Sequence, residues 1–189
     1  MEIENELAIW PPHEVFYIES LLSVTRTARQ NVGQLQSCLD QLFSGNGVDP
    51  DQMLDFVQNI ISCAGILSRY FWPASKKRIH QNRAAKLRDS FCITDDNPLK
   101  DRKVRNFVEH FDENLDIFLS QLIAGVIVPQ HIGYRKRDEQ VPPKFFRAYY
   151  VDEGVFCSLD MEYELEPIVN EIEQLHQRFR SSRDAGGLL

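Results

Sequence analysis

The run Arg105-Asn106-Phe107-Val108-Glu109-His110 holds the one group of side chains in this chain whose types and spacing suit chemistry. Histidine titrates near neutrality and can move protons. A guanidinium binds and stabilises an oxyanion through a planar fork of donors. Asn106 can orient either of them. A helix turns about 100° per residue, which sets Arg105 and His110 about 140° apart at the two edges of a polar sector. Glu109, Arg102 and Asn106 lie between them. Asn106 and His110 are within reach of each other, as are Arg105 and Glu109. One helix cannot aim Arg105 and His110 at the same atom, so a second helix must complete any site. A symmetry-related copy of the chain is its simplest source. The same residues also fit a solvated helix face laced with Arg–Glu and His–Glu pairs, and both readings stand at this level.

The motif must be carried by an amphipathic helix. Asn97-Pro98 reads as a cap followed by proline, and Val104, Phe107, Val108, Phe111, Leu115, Phe118 and Leu122 then fill one narrow face. This fourth helix should pack centrally. Three helices precede it. The first runs from His13 to Phe43, between Pro11-Pro12 and Ser44-Gly45-Asn46-Gly47. The second starts at Asp49-Pro50 and ends at Trp72, before Pro73. The third is basic, capped by Ser75, with Ile79, Ala84, Leu87 and Phe91 as a thin apolar side. Beyond Gly125 the pattern changes: Val126-Ile127-Val128 suits a short strand, and Lys144–Val151 with Gly154–Leu159 suits a hairpin. A last helix over about 160–181 carries Leu165, Ile168, Val169, Ile172, Leu175 and Phe179, with Pro167 starting or kinking it and a frayed tail after it. The expected fold is all-α: one domain over 1–189, an antiparallel bundle of four to five helices with its core at 13–122. A small β-hairpin insertion at about 123–159 precedes the C-terminal helix.

Composition narrows the function classes. The chain of 189 residues is 43% hydrophobic and 26% charged, which suits one globular domain. No apolar run is long enough to cross a bilayer, and the acidic start Met1–Glu6 is unlike a signal peptide, so a cytoplasmic protein without membrane contact is expected. Cys38, Cys63, Cys92 and Cys157 are scattered in apolar-periodic segments and read as reduced, buried thiols. The net charge of -7 is uneven: residues 69–105 carry eleven Lys and Arg against four Asp. That segment is either a solvated helix face or a surface for an anionic partner.

The remaining candidates read as structural. His13, His80, His131 and His176 lack partners at ligand spacing, so neither a metal nor another cofactor is expected. Gly45-Asn46-Gly47 reads as a turn rather than a phosphate loop, and Ser90 and Ser158 have no catalytic partners in sequence terms. Phe145-Phe146-Arg147-Ala148-Tyr149-Tyr150 reads first as a half-buried strand. Arg135-Lys136-Arg137 reads as a small basic patch on a loop over 135–143.

Arg105-Asn106-x-x-x-His110, on the amphipathic helix that follows a helical pair, resembles the signature of the HEPN superfamily (higher eukaryotes and prokaryotes nucleotide-binding): Arg, four to six residues, then His, with a polar residue preferred after the Arg. The resemblance covers about residues 13–122. It implies a helical bundle that dimerises through the signature helix. It also implies metal-independent endoribonuclease activity, of the kind found in bacterial toxins and defence effectors, with an antidote protein as a further partner. Other members are silent modules that bind a protein or nucleotide. By position, Arg105 would bind the scissile phosphate, His110 would move protons and Asn106 would support them. RNA carries its own nucleophile in the 2′-OH, so cleavage needs only proton transfer and stabilisation of a charged phosphorane. Acidic Glu109, Asp112, Glu113 and Asp116 favour a charged His110, which suits a general acid. They also repel RNA, so Lys76, Lys77, Arg78, Arg83 and Arg102 are the residues expected to attract it.

Overall fold

The computed structural model describes residues 9–109, 111–121, 126–135 and 143–189, without the side chains of Val108 and Glu109. Helix α1 (Pro11–Phe43) has prolines in its first turn, where their missing N–H groups cost nothing. It ends in a Schellman turn, with Gly45 at φ 77° and the Asn46 amide donating to the Gln41 carbonyl. At 33 residues it is about 50 Å long. Helix α2 (Pro50–Phe71) starts at Asp49, whose carboxylate accepts from the Asp51 amide at 3.0 Å. Met53, Leu54, Val57, Ile60, Ile61, Ala64, Leu67 and Phe71 are fully buried, and α1, α3, α4 and α6 all pack on this helix.

Helix α3 spans Arg78–Ser90, two residues later than a cap at Ser75 would give; the Ser75 hydroxyl instead accepts from the Lys77 amide. The cap-plus-proline at Asn97-Pro98 produces only a 3-10 turn (Pro98–Lys100). Asp101 then accepts from the Lys103 amide at 2.9 Å, and α4 (Arg102–Glu109) begins there. Helix α5 covers Phe111–Ser120. His110, between them, lies outside the described residues, as do Leu122 and residues 136–142 of the basic loop.

The all-α expectation with a hairpin insertion is overturned. Six helices stand beside a four-stranded mixed sheet on the C-terminal side of the chain. Its strands are β1 (Ile127–Gly133), β2 (Lys144–Tyr150), β3 (Val155–Ser158) and β4 (Met161–Glu164), in that spatial order. The β2–β3 pair is the expected hairpin, turning at Gly154 with φ 64°. Two pairings enlarge it. β1 joins β2 in parallel, and β4 adds to β3 antiparallel through a turn at Leu159, whose φ is 57°. Parallel pairing links segments distant in sequence and leaves no local pattern to read. β4 is too short to show a period.

The sheet packs on α2. Arg147 donates to Asp55 at 2.5 Å and to Gln58 at 3.2 Å, and Gln130 donates to Asp51. Phe107 of α4 meets Phe156 and Tyr163 edge-to-face, with ring centroids 6.1 and 5.3 Å apart. Helix α6 (Leu165–Asp184) lies along α1, with Pro167 in its first turn. The tail is docked rather than frayed. The Leu189 amide donates to the buried Glu14 carboxylate at 2.7 Å, and Ser182 donates to the Leu188 carbonyl. Burial alone would raise the Glu14 pKa, but the Leu189 amide and Lys86 outweigh it and hold the carboxyl below its ordinary value. No helix among the described residues is long and apolar enough to cross a membrane.

Gly65 sets the distance between α2 and α4. A Cβ there would stand 2.8 Å from the Val104 carbonyl oxygen, closer than packed atoms allow. Gly33, exposed in mid-α1, has nothing within 4 Å. Opposite signs are expected in chemical denaturation: Gly65→Ala should destabilise by about 1–3 kcal/mol through overpacking. Gly33→Ala should stabilise by about 0.5–1 kcal/mol through helix propensity.

Candidate nucleic-acid interface

The last carbonyls of a helix have no partner inside it, and the helix dipole makes that end negative. At the end of α2 these carbonyls meet arginines from the basic segment. Arg83 Nη2 donates to the Arg69 carbonyl at 3.0 Å, Arg88 Nη1 to that of Phe71, and Arg105 Nη1 to that of Trp72 at 3.3 Å. Arg83 also lies over the Tyr70 ring, 5.4 Å from its centroid. Arg83 and Arg105 are half-buried and each keeps a buried Nε without an acceptor. Two residues expected to face RNA therefore also hold a helix end.

The segments that lead into α3 and α4 carry other cations. Lys76, Lys77, Arg78, Arg102 and Lys103 are exposed, and their side chains meet no carboxylate among the described residues. By contrast Arg29, Lys86, Lys100, Arg135, Lys144 and Arg147 each do. The arrangement offers a positive surface in a chain of net charge -7.

Arg105 and Asn106 diverge. Arg105 turns to the end of α2, while Asn106 lines a cleft of about 160 Å³ between α4, α5 and the β3–β4 turn. The structure does not bring the two to a common point, and His110 is outside the described residues.

Several readings from the sequence need correction. Arg135 is no loose basic residue: it donates to Glu153 and Glu162, each at 2.7 Å, and lies 4.0 Å over the Tyr150 ring. Cys92 is exposed and ends α3 in the left-handed region at φ 51°, while Cys38, Cys63 and Cys157 are buried. Burial pushes the Cys157 thiol up to about 11, which leaves it protonated and unreactive. His131 stacks on Phe145 with centroids 5.1 Å apart. Among the described residues no group of His, Cys, Asp and Glu could hold a metal ion.

His176 is the polar core residue that sequence reasoning passed over. It is 5% exposed, and its Nδ1 lies 2.8 Å from Thr25 Oγ1. The Thr25 hydroxyl gives its proton to the Leu21 and Leu22 carbonyls, at 3.0 and 3.2 Å. Its oxygen must then accept from the ring, so Nδ1 carries the proton of a neutral imidazole. Burial, followed by the Arg29 charge, lowers its pKa below 6.5, and only Glu173 opposes this. The apolar neighbours of His176 at i−4 and i+3, Ile172 and Phe179, were the signal that it faces inward.

No family model, curated protein or solved structure matches the chain. The functional reading rests on the residues themselves.

The His176 pair has a pH signature. A lowered folded pKa means that the unfolded chain binds the proton more readily, so stability is full above about 6.5 and falls as pH drops through the folded value. Thermal melts from pH 7.5 to 5 should show this loss, and His176→Gln should flatten it. An unchanged slope in that variant would assign the acid sensitivity elsewhere.

Proposed function

We propose that this chain is a metal-independent endoribonuclease of the HEPN type, acting as a homodimer in which the helix bearing Arg105 and His110 faces its copy. The observation that carries the reading is the set of exposed cations without a carboxylate partner that lead into α3 and α4, Lys76, Lys77, Arg78, Arg102 and Lys103, together with Arg105 at the end of α2. Phosphate affinity is electrostatic, and cations left unpaired in an acidic protein suit a polyanion.

The chemistry is attack by the 2′-oxygen of RNA on the adjacent phosphorus. A base removes the 2′-proton, the 5′-oxygen leaves and takes a proton from an acid, and a 2′,3′-cyclic phosphate remains. His110 serves proton transfer, and the guanidinium of Arg105 stabilises the charged phosphorane with donors not held by Trp72. Asn106 supports the site by orienting His110 or the phosphate. A copy of the chain supplies the groups that a single helix cannot focus.

The contact between Arg105 and the Trp72 carbonyl favours a second reading, a catalytically silent module in which the arginine only caps α2 and the surface binds a protein or nucleotide partner.

Cleavage assays separate the two. Wild-type protein should cut RNA in excess EDTA and leave cyclic phosphate ends, and His110→Ala should slow it by about 100-fold or more. Arg105→Ala should lose comparable activity, with Arg105→Lys a poor rescue, and should lower stability by about 1 kcal/mol through the lost cap. Cleavage that stops on chelation and returns with Mg²⁺ would overturn the mechanism. Loss of stability without any cleavage by the wild type would establish the silent module.

A further inference from the structure

The stripe of α4 and α5 that faces the β3–β4 turn runs through Phe107, Phe111, Asn114 and Phe118, and the exposed Gln121 follows just past the end of α5. One amide, Asn114, therefore interrupts a face otherwise built of phenylalanine, and a second stands at its rim. Such groups are costly on an apolar face unless something pairs with them. Asn114, Gln121 and the nearby Asn106 make no hydrogen bond to another described residue. Ser158, only 3% exposed, lines the same cleft with a hydroxyl that also has no partner. Around this apolar cleft the Ser158 hydroxyl is buried and unpaired, while the amides of Asn106, Asn114 and Gln121 are half-buried or exposed at its mouth, open to a ligand.

We propose that this cleft receives one nucleobase of the bound RNA, a reading that rests on the nuclease proposal and assigns the base site of the same centre. Phe107, Phe111, Phe118 and Tyr163 supply ring surfaces for stacking. The amides of Asn106, Asn114 and Gln121 present a donor beside an acceptor, the pattern that pairs with the edge of a base. The size agrees. A cavity of about 150 Å³ holds one benzene ring, so 160 Å³ with an open mouth holds one planar base and leaves sugar and phosphate outside. No lysine or arginine lines the cleft, and its one carboxylate, Asp160, is paired with Lys144 at 2.7 Å, which suits a neutral ring rather than a phosphate. An acyl chain would leave all four polar groups unpaired. Asn106 lines this cleft while Arg105 turns to the end of α2, so a strand that seats a base here must cross α4 to bring a phosphate to Arg105.

The test measures binding without cleavage, using a fluorescent single-stranded deoxyoligonucleotide, which lacks the 2′-OH, and the same strand made abasic. Fluorescence anisotropy should show at least about tenfold tighter binding of the strand that carries bases. The double variant Asn114→Ala, Gln121→Ala should remove most of that advantage while leaving the abasic affinity and the melting temperature unchanged. Gln121→Ala alone, at an exposed position, reads the same loss if the pair does not fold. Equal binding of both strands, or a variant that keeps the full advantage, overturns the base site. Cleavage that persists without a base advantage removes the base site alone, whereas a base advantage without cleavage removes the nuclease reading alone.

Discussion

The C-terminal carbonyls of α2 are the constraint on which the rest of the arrangement depends. α2 is the helix that α1, α3, α4 and α6 all touch, and its far end is half-buried by them. A buried carbonyl without a donor costs about 1–3 kcal/mol. Three guanidiniums from later in the chain satisfy this end, and in doing so they fix where α3 and α4 sit. The packing of α4 is tightened further at Gly65, where the absence of a side chain lets the Val104 carbonyl come close. Capping and close approach act on the same two helices, so α4 is placed by contacts made at its first turns.

This placement gives the basic segment two roles. Its arginines with long reach, Arg83, Arg88 and Arg105, turn inward to backbone oxygens, while Lys76, Lys77, Arg78, Arg102 and Lys103 remain at the surface. Position in the chain makes the division, since Arg78 and Arg102 are also exposed, and side-chain chemistry permits it for the three that turn inward. A guanidinium is weakly hydrated and offers several donors, so it tolerates partial burial against carbonyls, whereas an ammonium keeps its hydration. The inward arginines add positive charge beneath the surface that the lysines present.

The sheet acts on the other side of α4. β3 and β4 bring Phe156 and Tyr163 against Phe107, and the left-handed residue Leu159 turns Ser158, Asp160 and Met161 toward α5. A sheet edge that closes on an amphipathic helix would normally bury an apolar stripe. Here the stripe contains Asn114 and Gln121, so the two elements meet around a cleft instead of a dry core.

The sequence by itself determined α1 and α2, because each carries a repeating apolar face and punctuation made by proline, glycine or an aspartate cap, whereas α3 and α4 start later than the caps at Ser75 and Asn97 would place them. Asp49-Pro50, Trp72-Pro73 and Ser44-Gly45 mark ends that the structure places within a residue or two. The β2–β3 hairpin was legible for the same local reason. The spacing of Arg105, Asn106 and His110 put them forward as a candidate site, but the surroundings of Arg105 and Asn106 were not legible, since helical angles say nothing of what lies beside each edge. Only the tertiary structure decided that Arg105 meets the Trp72 carbonyl, that Asn106 faces a cleft, and that His176 pairs with Thr25 across 151 residues. It also decided the parallel β1–β2 pair. These features share one physical cause. They are contacts between segments distant in sequence, whose partners are chosen by packing and by unsatisfied polar groups, and no local periodicity encodes such a choice.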